Sequence, residues 1–437
     1  MKSHLLLIQA AMGAAMLGCV GAGGAGNRTG AAGHGAAGAS GGAGVSDGGA
    51  SGGAGASGGA SATGGAGAGA GGVGGTTPVT PLDMNDLTIL APLPQSGATP
   101  VVMLGADVAD DGTTLVPRAL FNRLVTDSAT GQPLPNLDTA YERLHIVAVR
   151  FDLCDRHLPG VCPEVEDARL RLVFQPLSDP SGAQDVGFHA FYAIRNDEIA
   201  GAIAALRGLA TTAPAQNGAL RVSPALSAAN PQEYATRLRA FVRRYGGGAR
   251  IVRLTMNAQN LRFASFVWVL RGVEKQGDAF VDMALVGATE ISESVTLTGN
   301  PGYDVTPLAD MPSGLMVAIT QTMFNGADIT KKRESLAALA AVDNPLSHTA
   351  ETVACVACHV STVVMKARAA IAAIDPLTLP GRYTSTFDLG VTGGRSAETP
   401  TTIRALGYFG RQPMISQRVV NETAQTLTEI KLRYPAP

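Results

Sequence analysis

Two cysteines and a histidine near the C-terminal end of the chain have a spacing that suits covalent cofactor chemistry. Cys355 and Cys358 are separated by two residues, and His359 follows directly. Two thiols at this spacing add across the two vinyl groups of a haem, and the adjacent imidazole then binds the iron through Nε2. The motif therefore predicts one covalent haem c per chain, held by Cys355, Cys358 and His359.

The same motif has three other interpretations: a disulfide or redox dithiol, a zinc half-site, or a chance match. A structural zinc site needs four ligands, usually as two pairs, and no second pair of cysteines or histidines lies nearby. A thioredoxin-like dithiol follows a strand, whereas Ser347–Ala354 does not have a strand pattern. Haem attachment is the favoured interpretation, and the dithiol or disulfide comes next.

The side of the iron opposite His359 has two candidate ligands in the sequence. Met414 lies ahead of a predicted last helix, in a segment that Gly410 and Pro413 bend. His348 lies before the motif, and the extended chain between them is long enough to wrap the haem edge. The sequence leaves Met414, His348 and an open sixth position as alternatives.

A second pair of cysteines predicts a disulfide. Cys154 and Cys162 close a short loop after a predicted strand, and Pro159-Gly160 supplies a turn within it. In an oxidising compartment, two such thiols form a bond by default.

The N-terminus has the pattern of a targeting segment. Lys2 precedes an apolar stretch over Leu5–Leu17, which is too short to span a bilayer and ends at Gly18-Cys19. The segment resembles a bacterial lipoprotein signal, which implies that Cys19 is acylated and becomes the mature N-terminus. Plain secretory cleavage and a retained anchor are the alternatives. Val20 after the cysteine, rather than aspartate, favours the outer membrane by the same resemblance.

Residues 20–76 consist almost entirely of Gly, Ala and Ser. Such a segment cannot bury enough apolar surface to offset its ordering entropy, so we expect a disordered tether.

The net charge is −2, and basic residues are spread along the chain. This balance argues against nucleic acid as a partner and leaves the N-terminal lipid as the only expected membrane contact.

Residues 77–310 are predicted to form a β-rich domain of unknown function. The predicted strands alternate or run apolar with β-branched and aromatic residues. They are His145–Cys154, Ala168–Leu177, Asp185–Ile194, Ile251–Met256, Ala264–Leu270 and Phe280–Val286. Helices are predicted near Glu198–Leu209 and over Pro231–Tyr245, with Asn230 as a cap. Strands, helices and further strands with long connections indicate an α+β fold or a sandwich with insertions.

Residues 311–437 are predicted to be a small, mainly helical haem-binding region. Helices are predicted over Leu315–Phe324, Asp328–Val342, Val360–Ile374 and Ser416–Leu432. Asn344-Pro345 ends the second of them, because the residue before a proline is driven out of the helical region.

The residues from about 343 onward resemble a bacterial class I cytochrome c. The resemblance consists of the attachment motif, a following helix, an irregular polar stretch and Met414 before a last helix. It implies electron transfer. Together with the signal segment, this favours an exported, lipid-anchored monohaem cytochrome that transfers electrons to a redox protein partner over an enzyme. The alternatives are an extracytoplasmic haem enzyme or sensor with an open sixth position, and a surface binding protein whose β-rich domain has the main role.

Overall fold

A computed structural model describes the chain between residues 81 and 436, with internal gaps. The described ranges are 81–95, 100–127, 130–135, 137, 139–154, 168–178, 182–210, 220–259, 267–284, 290–297, 303–306, 313–348, 355–384 and 405–436. The predicted signal and linker, with Cys19, and also Cys162, lie outside them. Val73–Pro437 forms one compact unit, so the predicted β-rich and helical regions belong to the same body.

One large antiparallel sheet is the centre of this unit. Its main path has the order β1-β2-β3-β5-β6-β7-β9-β10, with β4 pairing with β3 and β8 with β7. The strands are Thr88–Leu90 (β1), Leu144–Asp152 (β2), Arg169–Ser178 (β3), Gly182–Ala183 (β4), Val186–Ala193 (β5), Ile251–Gln259 (β6), Val267–Gln276 (β7), Ala279–Asp282 (β8), Glu290–Leu297 (β9) and Tyr303–Thr306 (β10).

Strands β3, β5 and β6 have buried apolar residues at every second position, which gives this part of the sheet one apolar side. In β5, for example, Phe188, Ala190 and Tyr192 are fully buried in the main core, whereas His189 and Phe191 point to the other face. The sheet therefore has an apolar face and a second face with polar and charged positions, which is called the polar face below.

The apolar face packs against helices from the first half of the chain. They are Met84–Leu87 (α1), Arg118–Val125 (α2), Ile199–Ala210 (α3) and Gln232–Tyr245 (α4). Phe121 of α2 lies against Phe188 of β5, with ring centroids 5.1 Å apart. The Tyr192 hydroxyl donates to the Leu115 carbonyl, which satisfies a polar group at the centre of this core.

The C-terminal part of the chain adds five helices and a hairpin in the described ranges. They are Ser313–Ile319 (α5), Gln321–Gly326 (α6), Ile329–Val342 (α7), Cys355–Ala372 (α8), Leu406–Phe409 (β11), Gln412–Ile415 (β12) and Gln417–Arg433 (α9). Helices α5 to α8 share a second, smaller core, whereas α9 and β11 join the main core of the sheet. Within the ranges described, none of the helices has the length and apolar character that crossing a bilayer requires.

The mixed α+β class is confirmed, and several predicted boundaries hold to within a residue or two. Helix α7 ends at Val342 with Asp343 as its cap, as Asn344-Pro345 requires. Helix α9 begins after Ser416, whose hydroxyl accepts from the Val419 amide.

Three predictions of local structure were wrong. The single helix expected over Leu315–Phe324 is two helices, because Thr320 adopts an extended conformation and caps α6. Pro231 rather than Asn230 is the N-terminal cap of α4. The helix after the cysteine motif begins at Cys355 and so includes the motif, because the motif residues contain neither glycine nor proline to stop it.

Candidate functional site

Cys358 and His359 line a cavity of about 220 Å³. Strands β2, β3, β5, β6 and β7 line it on the sheet side, and α8 and α9 contribute on the helix side. Both motif side chains are half-buried in the first turns of α8. The cavity therefore has a thiol and an imidazole, adjacent in the chain, facing the same space.

A row of arginines crosses the polar face on the floor of the cavity. Arg150 of β2, Arg171 of β3, Phe191 of β5 and Arg253 of β6 are register partners in turn across four adjacent strands. The Phe191 ring lies between two guanidinium groups, with the Arg171 carbon 4.7 Å and the Arg253 carbon 3.9 Å from its centroid. These cation–π contacts hold both arginines in fixed positions beside an apolar surface.

An ion-pair network joins this row to the last helix. Asp152 accepts from Arg150 at 2.6 Å and from Arg171 at 3.0 Å. Glu422 of α9 contacts Arg150 and Arg418, both at 2.6 Å. The network therefore fixes α9 over the polar face of the sheet, at the edge of the cavity.

Arg418 also fixes the segment that leads toward the motif. Its guanidinium donates to three backbone carbonyls between α7 and the motif, those of Val342, Asn344 and His348, at 3.0, 3.1 and 2.7 Å. Because Arg418 itself lines the cavity, one side chain links the sheet network to the chain on the N-terminal side of α8.

Asp343 ties the end of α7 to α8. The Ser361 hydroxyl donates to Asp343 at 2.5 Å, and the Thr362 hydroxyl lies 3.2 Å from the same carboxylate. Asn421 of α9 donates to the Asp343 carbonyl at 2.7 Å. Three helices thus share one buried junction, which sets the position of Cys358 and His359 one turn earlier in α8.

Arginines outnumber carboxylates around the cavity. The described residues that line it include five arginines and three carboxylates. The guanidinium of Arg271 donates to the Leu124 and Thr126 carbonyls, so four arginines and three carboxylates remain to face the cavity. Burial raises the pKa of Glu422, but Arg150, Arg418 and Arg171 outweigh it and hold that pKa well below its usual range. Glu422 is therefore ionised throughout the neutral range. The charge count above already includes its negative charge.

The environment of Cys358 does not suit a redox dithiol. Burial raises the pKa of the Cys358 thiol to about 11, whereas reactive dithiols depend on a lowered pKa. In the parts of the chain that the structure describes, no group of three or more metal-binding side chains of His, Cys, Asp or Glu occurs.

The two predicted distal ligands lie elsewhere. Met414 of β12 is buried beside Val363 in a small separate cluster. His348 is half-buried, and burial followed by Arg418 lowers its pKa. Neither is among the residues that line the cavity. Cys154, just beyond β2, lines the cavity. Cys162, its predicted disulfide partner, lies outside the described residues.

The sequence analysis missed the residues of the polar face. The sequence does not single out these residues because they are scattered along the chain. They are Arg150, Asp152, Arg171 and Arg253. A signal was present, since in each of their strands the neighbouring positions are apolar, and charged residues at alternate positions indicate one polar face.

In comparisons with protein-family models, curated proteins and solved structures, the chain matches none of them.

Proposed function

We propose that the chain is an exported, lipid-anchored monohaem c-type cytochrome that transfers electrons to a redox protein partner. Cys355 and Cys358 would hold the haem through thioethers, and His359 would bind its iron. The observation that carries the proposal is that Cys358 and His359 line one cavity between the motif helix and the sheet. If the motif lay on an exposed surface, there would be no cavity beside it to receive a haem.

The residues around the cavity fit the two chemical halves of a haem. Phe191, Leu406 and Val419 offer apolar surface for the macrocycle. Two propionates would carry negative charge, and arginines outnumber carboxylates among the described lining residues. Arg171 and Arg253, fixed on the two sides of Phe191, are the groups that we assign to the carboxylates.

A bound haem would supply one-electron chemistry, in which the iron changes between the ferrous and ferric states. The work of this chain would be to hold the cofactor, shield it from water and set its potential. Buried charge beside a bound haem would help to set that potential, and the network of Arg150, Asp152 and Glu422 is the charged group that would do so here.

A second candidate function is a haem sensor or enzyme with an open sixth position. One observation favours it: Met414 and His348, the two ligands predicted from the sequence, do not line the cavity. Binding of carbon monoxide to the ferrous protein distinguishes the two functions. Ready binding favours the sensor or enzyme, and an unaltered six-coordinate spectrum favours electron transfer.

The first prediction is that the protein, expressed with cytochrome maturation machinery, carries one haem that acidified ketone does not extract. Intact-mass measurement should give the polypeptide plus one haem, because thioether bonds survive denaturation. A mass equal to that of the processed polypeptide alone would overturn the proposal.

Export is part of the proposal, and the signal-like segment that ends at Gly18-Cys19 supports it. We expect the Cys19→Ala variant to move from the membrane to the soluble fraction, since it lacks the thiol that is acylated. Fractionation and immunoblotting measure this. Continued membrane association of the variant would contradict a lipid anchor at Cys19.

A further inference from the structure

The polar face of the sheet carries a histidine that the proposed haem attachment does not use. His189 lies in the middle of β5, two residues before Phe191 and beside Thr255 of β6 in the register. All three line the cavity that His359 also lines. His189 is half-buried, so its imidazole is neither enclosed in the apolar core nor fully in water.

Few other side chains at the cavity could bind an iron. Imidazole and thioether groups are the usual partners of a histidine-ligated haem in electron-transfer proteins. Among the described lining residues, these groups belong to His189, Met256 and Met283, apart from His359 itself. Met256 is 2% exposed and belongs to the main apolar core. Met283 is 3% exposed and packs against Gly272.

His189 differs from Met256 in the face of the sheet on which it lies, and from Met283 in being half-buried rather than 3% exposed. The side chains of alternate residues in β5 point to the same face, so His189 shares the polar face with Phe191. Phe191 in turn lies between the two arginines assigned to the propionates. The histidine therefore lies on the same wall as the groups that would orient the cofactor.

We infer that His189 is the second axial ligand of the haem iron, opposite His359; this inference rests on the proposed function. The β-rich part of the chain then has a direct role, since it supplies the ligand that closes the sixth position. Two imidazoles also give a lower reduction potential than one imidazole with a methionine.

The test is the spin state of the ferric, haem-loaded full-length protein. The wild type should be low-spin, without the near-infrared charge-transfer band of methionine ligation. His189→Ala should be high-spin and bind carbon monoxide when reduced, and added imidazole should restore the low-spin spectrum. His189→Met should instead gain the near-infrared band. This second variant keeps a ligand at position 189, so it also serves if the alanine variant does not fold.

Met414→Leu and His348→Ala are the matched controls, and both should keep the wild-type spectrum. The inference is overturned if His189→Ala stays low-spin, if the wild type is already high-spin, or if either control converts the iron to high spin. Intact mass separates this failure from that of the proposed function. A polypeptide without haem removes both proposals, whereas a haem-loaded protein with an unchanged His189→Ala spectrum removes only this one.

Discussion

Replacing Cys355 and Cys358 together by serine should abolish covalent haem attachment and leave the α+β fold intact. Serine has nearly the shape of cysteine but no thiol, so neither vinyl group can be attacked. Cys358 is half-buried and is not paired in a disulfide. We therefore expect the double substitution to reduce the free energy of unfolding by only about 1 kcal/mol.

The two single variants should give an intermediate result. Each retains one thiol, so each should bind haem through a single thioether at reduced yield. One vinyl group then remains unsaturated, and the haemochrome band should move to longer wavelength. The band position of each single variant, measured after acidified-ketone extraction, reports whether its remaining cysteine has reacted.

Ala357→Ser is the matched control for the double variant. It introduces a hydroxyl between the two cysteines and removes no thiol, so it should keep the full haem content. Haem that resists extraction in the double variant would contradict attachment at this motif. One zinc per chain in the wild type, with no haem, would move the interpretation to a zinc half-site.

The sequence predicts the secondary structure around the site better than the site itself. Helices α7 and α9 could be located because their ends carry local signals, Asn344-Pro345 and the Ser416 cap. Such signals act within a few residues. The motif at Cys355 is equally local, since its meaning lies in the spacing of three side chains.

The arginine row could not be predicted in the same way. Arg150, Arg171 and Arg253 become neighbours only through the pairing of β2, β3, β5 and β6. That register depends on the core that the opposite face of each strand buries, and not on any residue near the arginines. Along the chain they look like isolated surface charges.

The distal ligand shows the same limit. The sequence indicates Met414 because it lies ahead of the last helix, and His348 because it lies seven residues before Cys355. His189 lies 170 residues before His359 in the chain, and only the sheet brings it to the same cavity. A ligand supplied by another structural element leaves no spacing pattern to detect.

Arg418→Ala should be the most destabilising single substitution at the site, lowering the free energy of unfolding by about 3–5 kcal/mol. The side chain is only 11% exposed, and it pairs with Glu422 at 2.6 Å. Its loss also removes one donor from each of the carbonyls of Val342, Asn344 and His348. The Asn344 carbonyl still accepts from the Ser347 and His348 amides. Guanidinium unfolding of the haem-loaded protein measures the effect.

Arg237→Ala is the matched control. Arg237 also pairs with a glutamate on its own helix, Glu233, at 2.7 Å, but its side chain is 50% exposed. Solvent screens that pair, so we expect a change of no more than about 0.5 kcal/mol. Equal effects of the two substitutions would mean that the network around Arg418 contributes no more than an ordinary surface ion pair.

The pH dependence of Glu422→Gln tests the same network from its acidic side. Three guanidinium groups face Glu422: those of Arg150 and Arg171 from the sheet and that of Arg418 from its own helix. They hold the pKa of Glu422 below its usual value of 4.5, although burial raises it. A carboxylate with a lowered pKa stabilises the folded state above its unfolded pKa, and this contribution is lost as the pH falls below about 4.5. The wild type should therefore exceed Glu422→Gln by about 2–4 kcal/mol at pH 7, and by less as the pH approaches 3. A difference that stays constant from pH 7 to pH 3 would show that the glutamate acts through its shape and hydrogen bonds and not through its charge.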